Sequence, residues 1–131
     1  MTIENKKCIV ISSGGLDSTT VAAHAKYIDN CEVLILHFRY GCRADSNEVM
    51  AVKNISNALD VECVICDLNW LKQIGGSTLT DPNAEITGSI EGAEYPHEWV
   101  PARNLLFIAH AAAMCDAMNI SDIYMGLNLE E

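Results

Sequence analysis

A short polar run at residues 12–19 holds the side chains best suited to chemistry in this chain of 131 residues. It reads Ser-Ser-Gly-Gly-Leu-Asp-Ser-Thr and follows an apolar stretch, Lys7–Ile11. Two adjacent glycines let a backbone turn sharply and approach a ligand closely. Amides at the start of a following helix, with hydroxyl groups beside them, bind phosphate. The run therefore predicts a phosphate-binding loop, in which Asp17 either caps the helix or helps to hold a magnesium ion.

The spacing of this loop separates it from two common nucleotide motifs. No Gly-Lys-Ser or Gly-Lys-Thr follows, as it does in a Walker A loop, and the glycines do not have the GxGxxG spacing. The pattern Ser-Gly-Gly-x-Asp-Ser resembles the PP-loop of enzymes that split ATP between its α- and β-phosphates. The alternative is an ordinary Ser/Gly turn with aspartate as a helix cap.

Strand-like and helix-like patterns alternate around the loop. Buried-strand patterns occupy residues 7–11, 32–38, 62–67 and 122–125, and helical patterns begin at Asp17, after Asp45 and at Asn104. Alternation of this kind predicts right-handed βαβ units on a parallel sheet. Ligands bind at the carboxyl ends of such strands, so the site is expected in four loops. These are residues 12–17, 38–43, 68–103 and 126–128. The third is long enough to predict a lid or a substrate-binding segment.

Four further segments resemble one family of PP-loop enzymes, the 7-cyano-7-deazaguanine synthases. Residues 38–43, Phe-Arg-Tyr-Gly-Cys-Arg, and Glu48 are similar to its Tyr-Gly-Gln-Arg-His and glutamate segment. Residues 74–81 resemble its Gly-Gly-Ser-Ala-Leu-Thr segment, and residues 100–104 match its Val-Pro-Ala/Gly-Arg-Asn. Gly-Leu-Asn at 126–128 is similar to its Gly-Val-Asn after the fourth strand. The matches run in order from residue 8 to residue 128.

This resemblance implies both a fold and a reaction. The fold is α/β, a three-layer Rossmann-like (adenine nucleotide alpha hydrolase-like) parallel sheet with helices on both faces. The reaction is the ATP-dependent conversion of 7-carboxy-7-deazaguanine and ammonia to the nitrile preQ0, in queuosine and archaeosine biosynthesis. Adenylation of the carboxylate would give it a good leaving group, so the enzyme is expected to be a carbon–nitrogen ligase that uses ATP and Mg²⁺.

The resemblance also implies residue roles. The expected ATP-binding residues are Ser12, Ser13, Gly14, Gly15, Leu16, Asp17, Ser18, Thr19, Thr20, Val21 and Ala22, with backbone at His37, Phe38 and Arg39 holding adenine. Asp17, Arg43 and Arg103 are the expected catalytic residues, and the two arginines would stabilise phosphate charge or orient the carboxylate. The expected substrate-binding residues are Arg103, Asn104, Gly126 and Asn128. A surface ion pair for each arginine and a helix cap for Asn104 are the alternatives.

The sequence departs from the family pattern in two places. The Gln-Arg-His triplet reads Cys42-Arg43-Ala44, which removes a possible proton carrier and adds a thiol. The family also continues beyond the point that corresponds to residue 131, into a part that carries a four-cysteine zinc site. Residues 1–131 are therefore expected to be a PP-loop ATP-binding domain truncated at its C-terminus. No zinc site is expected in this chain, only in a full-length protein, and the chain alone is expected to be inactive.

Cys63 and Cys66 suggest zinc by their spacing but not by their setting. They lie in Glu-Cys-Val-Ile-Cys-Asp, a strand pattern in which residues three apart point to opposite faces of a sheet. Two such thiols do not converge on the tetrahedral ion that zinc requires. Free thiols are expected instead.

Composition limits the partners. Eighteen acidic and eight basic residues give a formal charge of −10, which repels nucleic acid and leaves a small-molecule substrate. No apolar run approaches the roughly 18 residues of a membrane span, and no signal peptide is recognisable, so a cytoplasmic location is expected. A homodimer is one possible assembly.

Three other functions stay open on the sequence. One is sulfur transfer to a nucleoside with Cys42 as persulfide carrier, although tRNA binding would need a basic surface. The second is a related amidation on another substrate. The third is a nucleotide-binding module without turnover.

Overall fold

The computed structural model describes residues 6–40, 45–68, 70 and 103–126. Some of the predictions lie outside these residues. They concern Cys42, Arg43, Ala44, most of the loop at 68–103, and Leu127 and Asn128.

Four strands and three helices alternate along the described residues, as predicted. They are β1 (Lys7–Ile11), α1 (Leu16–Tyr27), β2 (Glu32–Arg39), α2 (Asp45–Leu59), β3 (Glu62–Asp67), α3 (Arg103–Met118) and β4 (Asp122–Met125). Where the predicted bounds differ, they do so by one residue: α1, α2 and α3 each begin one residue earlier, and β2 ends one residue later. Such shifts are ordinary at element ends, where the last hydrogen bonds decide the boundary.

The strands form one parallel sheet in the order β3-β2-β1-β4. Ile9 of β1 lies between Leu34 of β2 and Ile123 of β4, so β1 is hydrogen-bonded on both edges. Along the chain, the sheet grows from β1 through β2 to β3. β4 then pairs with the edge of β1 that β2 does not occupy. The direction of winding therefore changes between β1 and β4, which is the point where open α/β sheets bind ligands.

Helices cover both faces of the sheet, which confirms the predicted three-layer α/β fold. On one face, strand residues such as Val10 and Ile35 pack with Ala22 and Ala25 of α1 and Val52 of α2. We call this the α1/α2 face. On the other, the α3 face, alternate strand residues pack against α3. The buried members of that cluster are Ile9, Ile11, Leu34, Leu36, Phe38, Tyr40, Leu68, Phe107, Ala111 and Ile120.

Sequence pattern accounts for most of these elements. β2 lies inside the sheet with both faces covered, so six successive residues are buried rather than alternate ones. Helical spacing in α2 predicts an apolar stripe of Val49, Val52, Ile55 and Leu59. The last three pack on the α1/α2 face, whereas Val49 is not part of that cluster. Each helix is followed by one residue with left-handed backbone, where the chain turns toward the next strand. These residues are Asn30, Asp60 and Asn119, with φ of 55°, 55° and 57°. No helix in the described part of the chain is long and apolar enough to span a bilayer.

The core that supports this sheet can be tested with two matched leucine substitutions. Leu36 is fully buried on the α3 face, whereas Leu105 of α3 is 68% exposed. Leu36→Ala is expected to lower the free energy of unfolding by about 2–5 kcal/mol, because it leaves a cavity. Leu105→Ala is expected to change it by less than about 0.5 kcal/mol. Urea unfolding followed by circular dichroism measures both, and equal effects would contradict the packing described.

Candidate active site

A cavity lies at the carboxyl edge of the sheet, beside the change of winding between β1 and β4. Its lining comes from β1 and the loop after it, from the ends of β2 and β4, and from all three helices. The lining residues are Ile11, Ser12, Ser13, Ser18, His37, Phe38, Tyr40, Glu48, Arg103, Asn104, Phe107, Met125 and Gly126. All four of the loops predicted to form the site therefore contribute described residues to one cavity.

The loop after β1 is held by hydrogen bonds from its own serines. The Ser12 amide donates to the Leu36 carbonyl at 2.9 Å, which anchors the start of the loop to β2. Ser12 Oγ accepts a hydrogen bond from the Gly14 amide at 3.1 Å and lies 3.2 Å from Ser18 Oγ. Ser12 and Ser18 are both buried. The loop is thus shaped before any ligand binds.

Gly14 is the residue that this loop conformation requires. Its φ of +84° lies in the region that L side chains rarely adopt, and a Cβ there would lie 2.9 Å from Cβ of Ala51 and 3.3 Å from the Glu48 carbonyl oxygen. The loop therefore passes directly against α2. Gly15 has φ −81°, and a Cβ added to it would meet only Ser13 Oγ, at 3.6 Å, so this position carries no such requirement.

The start of α1 has backbone amides that no side chain caps. Gly15 is the N-cap residue, and no side chain caps the helix, so the amides of the first turn are left for water or an anion. Asp17 lies in the first turn and is not the cap, which corrects one of the two roles predicted for it. The hydroxyls of Thr19 and Thr20 donate to carbonyls one turn earlier, at 2.6 and 2.8 Å.

Aromatic and basic side chains form the wall on the α3 face. The rings of Phe38 and Phe107 are stacked, with centroids 4.3 Å apart and planes 4° from parallel. Arg103 is the first residue of α3, and its Nη1 donates to the Tyr40 hydroxyl at 3.4 Å. The side chain of Arg103 is only partly exposed, so the guanidinium is directed by this contact while still lining the cavity.

Gly126 shows why β4 ends where it does. A Cβ on Gly126 would lie 2.8 Å from the Asp17 carbonyl oxygen and 3.1 Å from the Ser18 amide nitrogen. The end of β4 therefore approaches the first turn of α1 too closely for any side chain. This packing requirement accounts for the glycine, and its predicted contact with substrate stays a prediction.

His37 is buried in the same edge of the sheet, with 2% of its surface exposed. Its Nδ1 lies 2.8 Å from the Ser12 carbonyl oxygen. Its Nε2 is buried and has no hydrogen-bond partner, and it is the one side-chain atom in that condition within the described residues. The prediction for this residue concerned only its backbone. The contact between the His37 ring and the Ser12 carbonyl arises because β1 and β2 pair in parallel. The sequence alone did not predict it.

The predicted site residues divide into three groups. Those that line the cavity are Ser12, Ser13, Ser18, His37, Phe38, Arg103, Asn104 and Gly126. Those that are described but do not line it are Gly14, Gly15, Leu16, Asp17, Thr19, Thr20, Val21, Ala22 and Arg39. Arg43 and Asn128 lie outside the described residues. In the second group, Ala22 is fully buried in the core, Leu16 is 82% exposed, and Arg39 forms a two-nitrogen contact with the carboxylate of Asp45.

Tyr40, Glu48 and Phe107 line the cavity but were not among the predicted site residues. Tyr40 and Glu48 belong to the segment that resembles the Tyr-Gly-Gln-Arg-His and glutamate segment of the 7-cyano-7-deazaguanine synthases. Phe107 lies one helical turn after Arg103, on the same side of α3, so helical spacing would have found it. For Met125, nothing in the sequence indicated a place in the site except its position at the end of β4.

The cysteine pair lies as predicted, on opposite faces of β3. Cys63 packs on the α1/α2 face and Cys66 on the α3 face, where its sulfur is 3.3 Å from Nε2 of His110. Burial raises the pKa of both thiols; Lys53 opposes this at Cys63 and Asp67 adds to it at Cys66. Among the described residues, no group of three His, Cys, Asp or Glu side chains is placed to hold a metal ion.

The residues on the cavity wall are suited to a nucleotide. The uncapped amides at the start of α1 and the serine hydroxyls are donors for phosphate. Stacked aromatic rings lie on the opposite wall of the cavity. Sheet order, loop and cavity together define a Rossmann-like α/β protein with a PP-loop at the change of winding. The family model described as "Queuosine biosynthesis protein QueC" matches residues 7–131, and the chain belongs to this family.

Curated relatives agree with this family. The chain is 45% identical over 129 residues to 7-cyano-7-deazaguanine synthase 2 of Sulfurisphaera tokodaii, an alignment that covers 96% of this chain and 28% of that protein. It is 39% identical over 127 residues to the 7-cyano-7-deazaguanine synthase of Oceanobacillus iheyensis, covering 94% and 55%. Against that of Aliarcobacter butzleri it is 37% identical over 131 residues, covering 98% and 57%. The chain thus spans between about a quarter and somewhat more than half of these relatives.

The two loop glycines provide a matched test of the loop conformation. Gly14→Ser is expected to lower the free energy of unfolding by about 1–3 kcal/mol, because serine would be strained at positive φ and would contact α2. Gly15→Ser is expected to be neutral or slightly stabilising, since serine is a favoured N-cap. Thermal unfolding of the two variants beside the parent chain measures the difference. A Gly14→Ser chain as stable as Gly15→Ser would contradict the loop geometry.

Proposed function

We propose that this chain forms the ATP-binding and carboxylate-activating part of an enzyme that converts 7-carboxy-7-deazaguanine and ammonia to 7-cyano-7-deazaguanine. The observation that carries the proposal is the shared cavity, in which the serine loop after β1 faces Arg103 and Asn104 at the start of α3. A phosphate-binding loop and a directed cation in one cavity are what activation of a carboxylate requires. The names of the relatives supply the product.

The loop and the start of α1 are proposed to hold the phosphates. The amides after Gly15 have no side-chain cap, and the α1 dipole favours negative charge at that end. Ser13 and Ser18 place hydroxyls on the same wall. Asp17, exposed in the first turn, is proposed to help hold Mg²⁺. No zinc is proposed for this chain.

Arg103 is proposed to orient the substrate carboxylate against the phosphates and to stabilise the negative charge that develops there. A carboxylate is a poor electrophile, and ATP, when bound, supplies the leaving group that ammonia displaces. The guanidinium donates to the Tyr40 hydroxyl at 3.4 Å, and this neutral partner directs the group while leaving its charge in place. Arg43 is proposed for the same task from the loop after β2.

The stacked rings of Phe38 and Phe107 are proposed as the apolar platform for a planar heterocycle. Both adenine and the deazaguanine ring have that shape, and backbone near His37, Phe38 and Arg39 is proposed to read the adenine edge. Asn104, next to Arg103, has an amide able to bond the polar edge of the second ring. Gly126 and Asn128 complete the proposed substrate side.

Charge supports a free small molecule as substrate. The formal charge of −10 opposes binding to a nucleic-acid backbone, so we propose that the enzyme acts on the free base in the cytoplasm. A homodimer is proposed as its assembly. The chain spans only part of the length of the relatives that are named for the whole reaction, so the test includes the complete product of the gene.

Product analysis tests the function directly. The 131-residue chain and the complete gene product are each incubated with ATP, Mg²⁺, ammonium and 7-carboxy-7-deazaguanine, and products are identified by chromatography and mass spectrometry. The nitrile is expected, together with ATP consumption that depends on the carboxylated base. ATP consumption without nitrile would move the proposal to another PP-loop substrate. Absence of both from the complete gene product would remove it.

Replacement of Arg103 tests the proposed active site in whichever form is active. Arg103→Gln is expected to lower kcat/KM for the carboxylated base by roughly 10²–10³-fold, because one charged donor to the developing anion is lost. Arg103→Lys is expected to recover part of this, since it keeps the charge but not the planar fork. Lys53→Gln, on the exposed side of α2, is the control and should leave the rate unchanged. A fully active Arg103→Gln enzyme would contradict this assignment.

A further inference from the structure

The imidazole of His37 presents a buried polar atom that the fold leaves without a partner. Its Nδ1 lies 2.8 Å from the Ser12 carbonyl oxygen, and a carbonyl only accepts, so Nδ1 carries a proton and donates. In the neutral ring Nε2 is then a bare acceptor. It has no hydrogen-bond partner although the residue is 2% exposed. Leaving such a group unsatisfied costs free energy, so the position calls for an explanation.

The location of the ring suggests what the missing partner is. His37 lines the cavity on the same wall as Ser12, Ser13 and Ser18, which hold the proposed phosphate site. Its Nδ1 bond fixes the ring directly behind the first residue of that loop. The aromatic platform for a base lies on the opposite, α3 face of the sheet. A ligand atom that meets Nε2 is therefore expected from the phosphate chain and not from a base.

We propose that His37 donates a hydrogen bond from Nε2 to a phosphate oxygen of the bound nucleotide, and that the ring takes up one proton from solvent as the nucleotide binds. This rests on the proposed ATP site. Phosphate oxygens at neutral pH accept hydrogen bonds, and Nδ1 already uses its proton on Ser12. The contact to Nε2 therefore needs the doubly protonated, cationic ring, and the nucleotide's negative charge stabilises that form.

The charged groups around the ring are few among the described residues. Glu48 of α2, which is acidic, and Arg103 of α3, which is basic, line the cavity together with His37. Asp17 lies in the first turn of α1, and Asp67 ends the neighbouring strand β3. Within these surroundings, the arrival of a polyphosphate is the largest change in local charge, so proton uptake is coupled to binding. Affinity is then expected to rise as pH falls.

Calorimetry in buffers of different ionisation enthalpy tests this coupling, with a non-hydrolysable methylene analogue of ATP and Mg²⁺ at about pH 7.5. Two substitutions separate the ring nitrogens. In His37→Asn the amide reaches the Nδ1 position and keeps the bond to Ser12, while the Nε2 position is empty. In His37→Gln the amide reaches the Nε2 position but does not titrate. The control is His24→Asn on α1, whose side chain is 55% exposed and beside Asp29.

The parent chain and the His24→Asn control are expected to take up close to one proton more than His37→Asn on binding. Ionisation of the analogue itself is common to all three and cancels in this difference. Affinity is expected to fall roughly ten- to hundredfold in His37→Asn, because a charged hydrogen bond is lost. His37→Gln should recover part of the affinity but none of the proton uptake. Inorganic pyrophosphate, as a competitor without a base, should lose affinity in His37→Asn as well.

Three outcomes would overturn the inference. Equal proton uptake by the parent chain and His37→Asn would show that the ring does not titrate on binding. Pyrophosphate affinity unchanged in His37→Asn would move the contact to the base. Failure of the parent chain to bind either ligand would remove the nucleotide site itself, and with it the proposed function. Thermal unfolding of each variant is recorded alongside, so a folding defect is recognised by a lowered midpoint before binding is compared.

Discussion

The double pairing of β1 is the constraint on which the rest of the site depends. β1 exchanges parallel hydrogen bonds with β2 on one edge and β4 on the other, so the carboxyl ends of three strands meet at one place. The Ser12 amide continues that pairing onto the Leu36 carbonyl, which sets the direction in which the loop leaves the sheet. Return of the chain to the far side of β1 then brings Gly126 against the first turn of α1.

The loop and its support leave two sets of polar groups without partners. The first turn of α1 has no side-chain cap, and Nε2 of His37 is buried without a hydrogen-bond partner. An unsatisfied buried polar group lowers the stability of the free chain. Both sets lie beside one loop, where a bound anion would offset them. Local departures of this kind are typical of functional sites in otherwise consistent folds.

Local patterns predicted the elements well where one rule acts alone. The strand bounds of β1, β3 and β4 follow from short apolar runs, and the separation of Cys63 from Cys66 follows from strand alternation. Helical spacing placed Val52, Ile55 and Leu59 on the core. Of the two roles predicted for Asp17, that of helix cap was wrong, because α1 begins at Leu16 with Gly15 as its N-cap residue and the aspartate lies inside the first turn. A shift of two residues in the cap is within the error of propensity but decides which group is the cap.

The sequence by itself determined the α/β class, the position of the phosphate-type loop and membership of the family, because these depend on periodicity and on the identity of neighbouring residues. Only the tertiary structure decided which residues share the cavity. Tyr40, Glu48 and Phe107 join it through strand order and helix docking, whereas Leu16 and Ala22, inside the recognised motif, point to solvent and to the core. The unpartnered nitrogen of His37 is likewise invisible in one dimension. Whether a polar atom is satisfied depends on every group that packs around it, and those groups are distant in sequence.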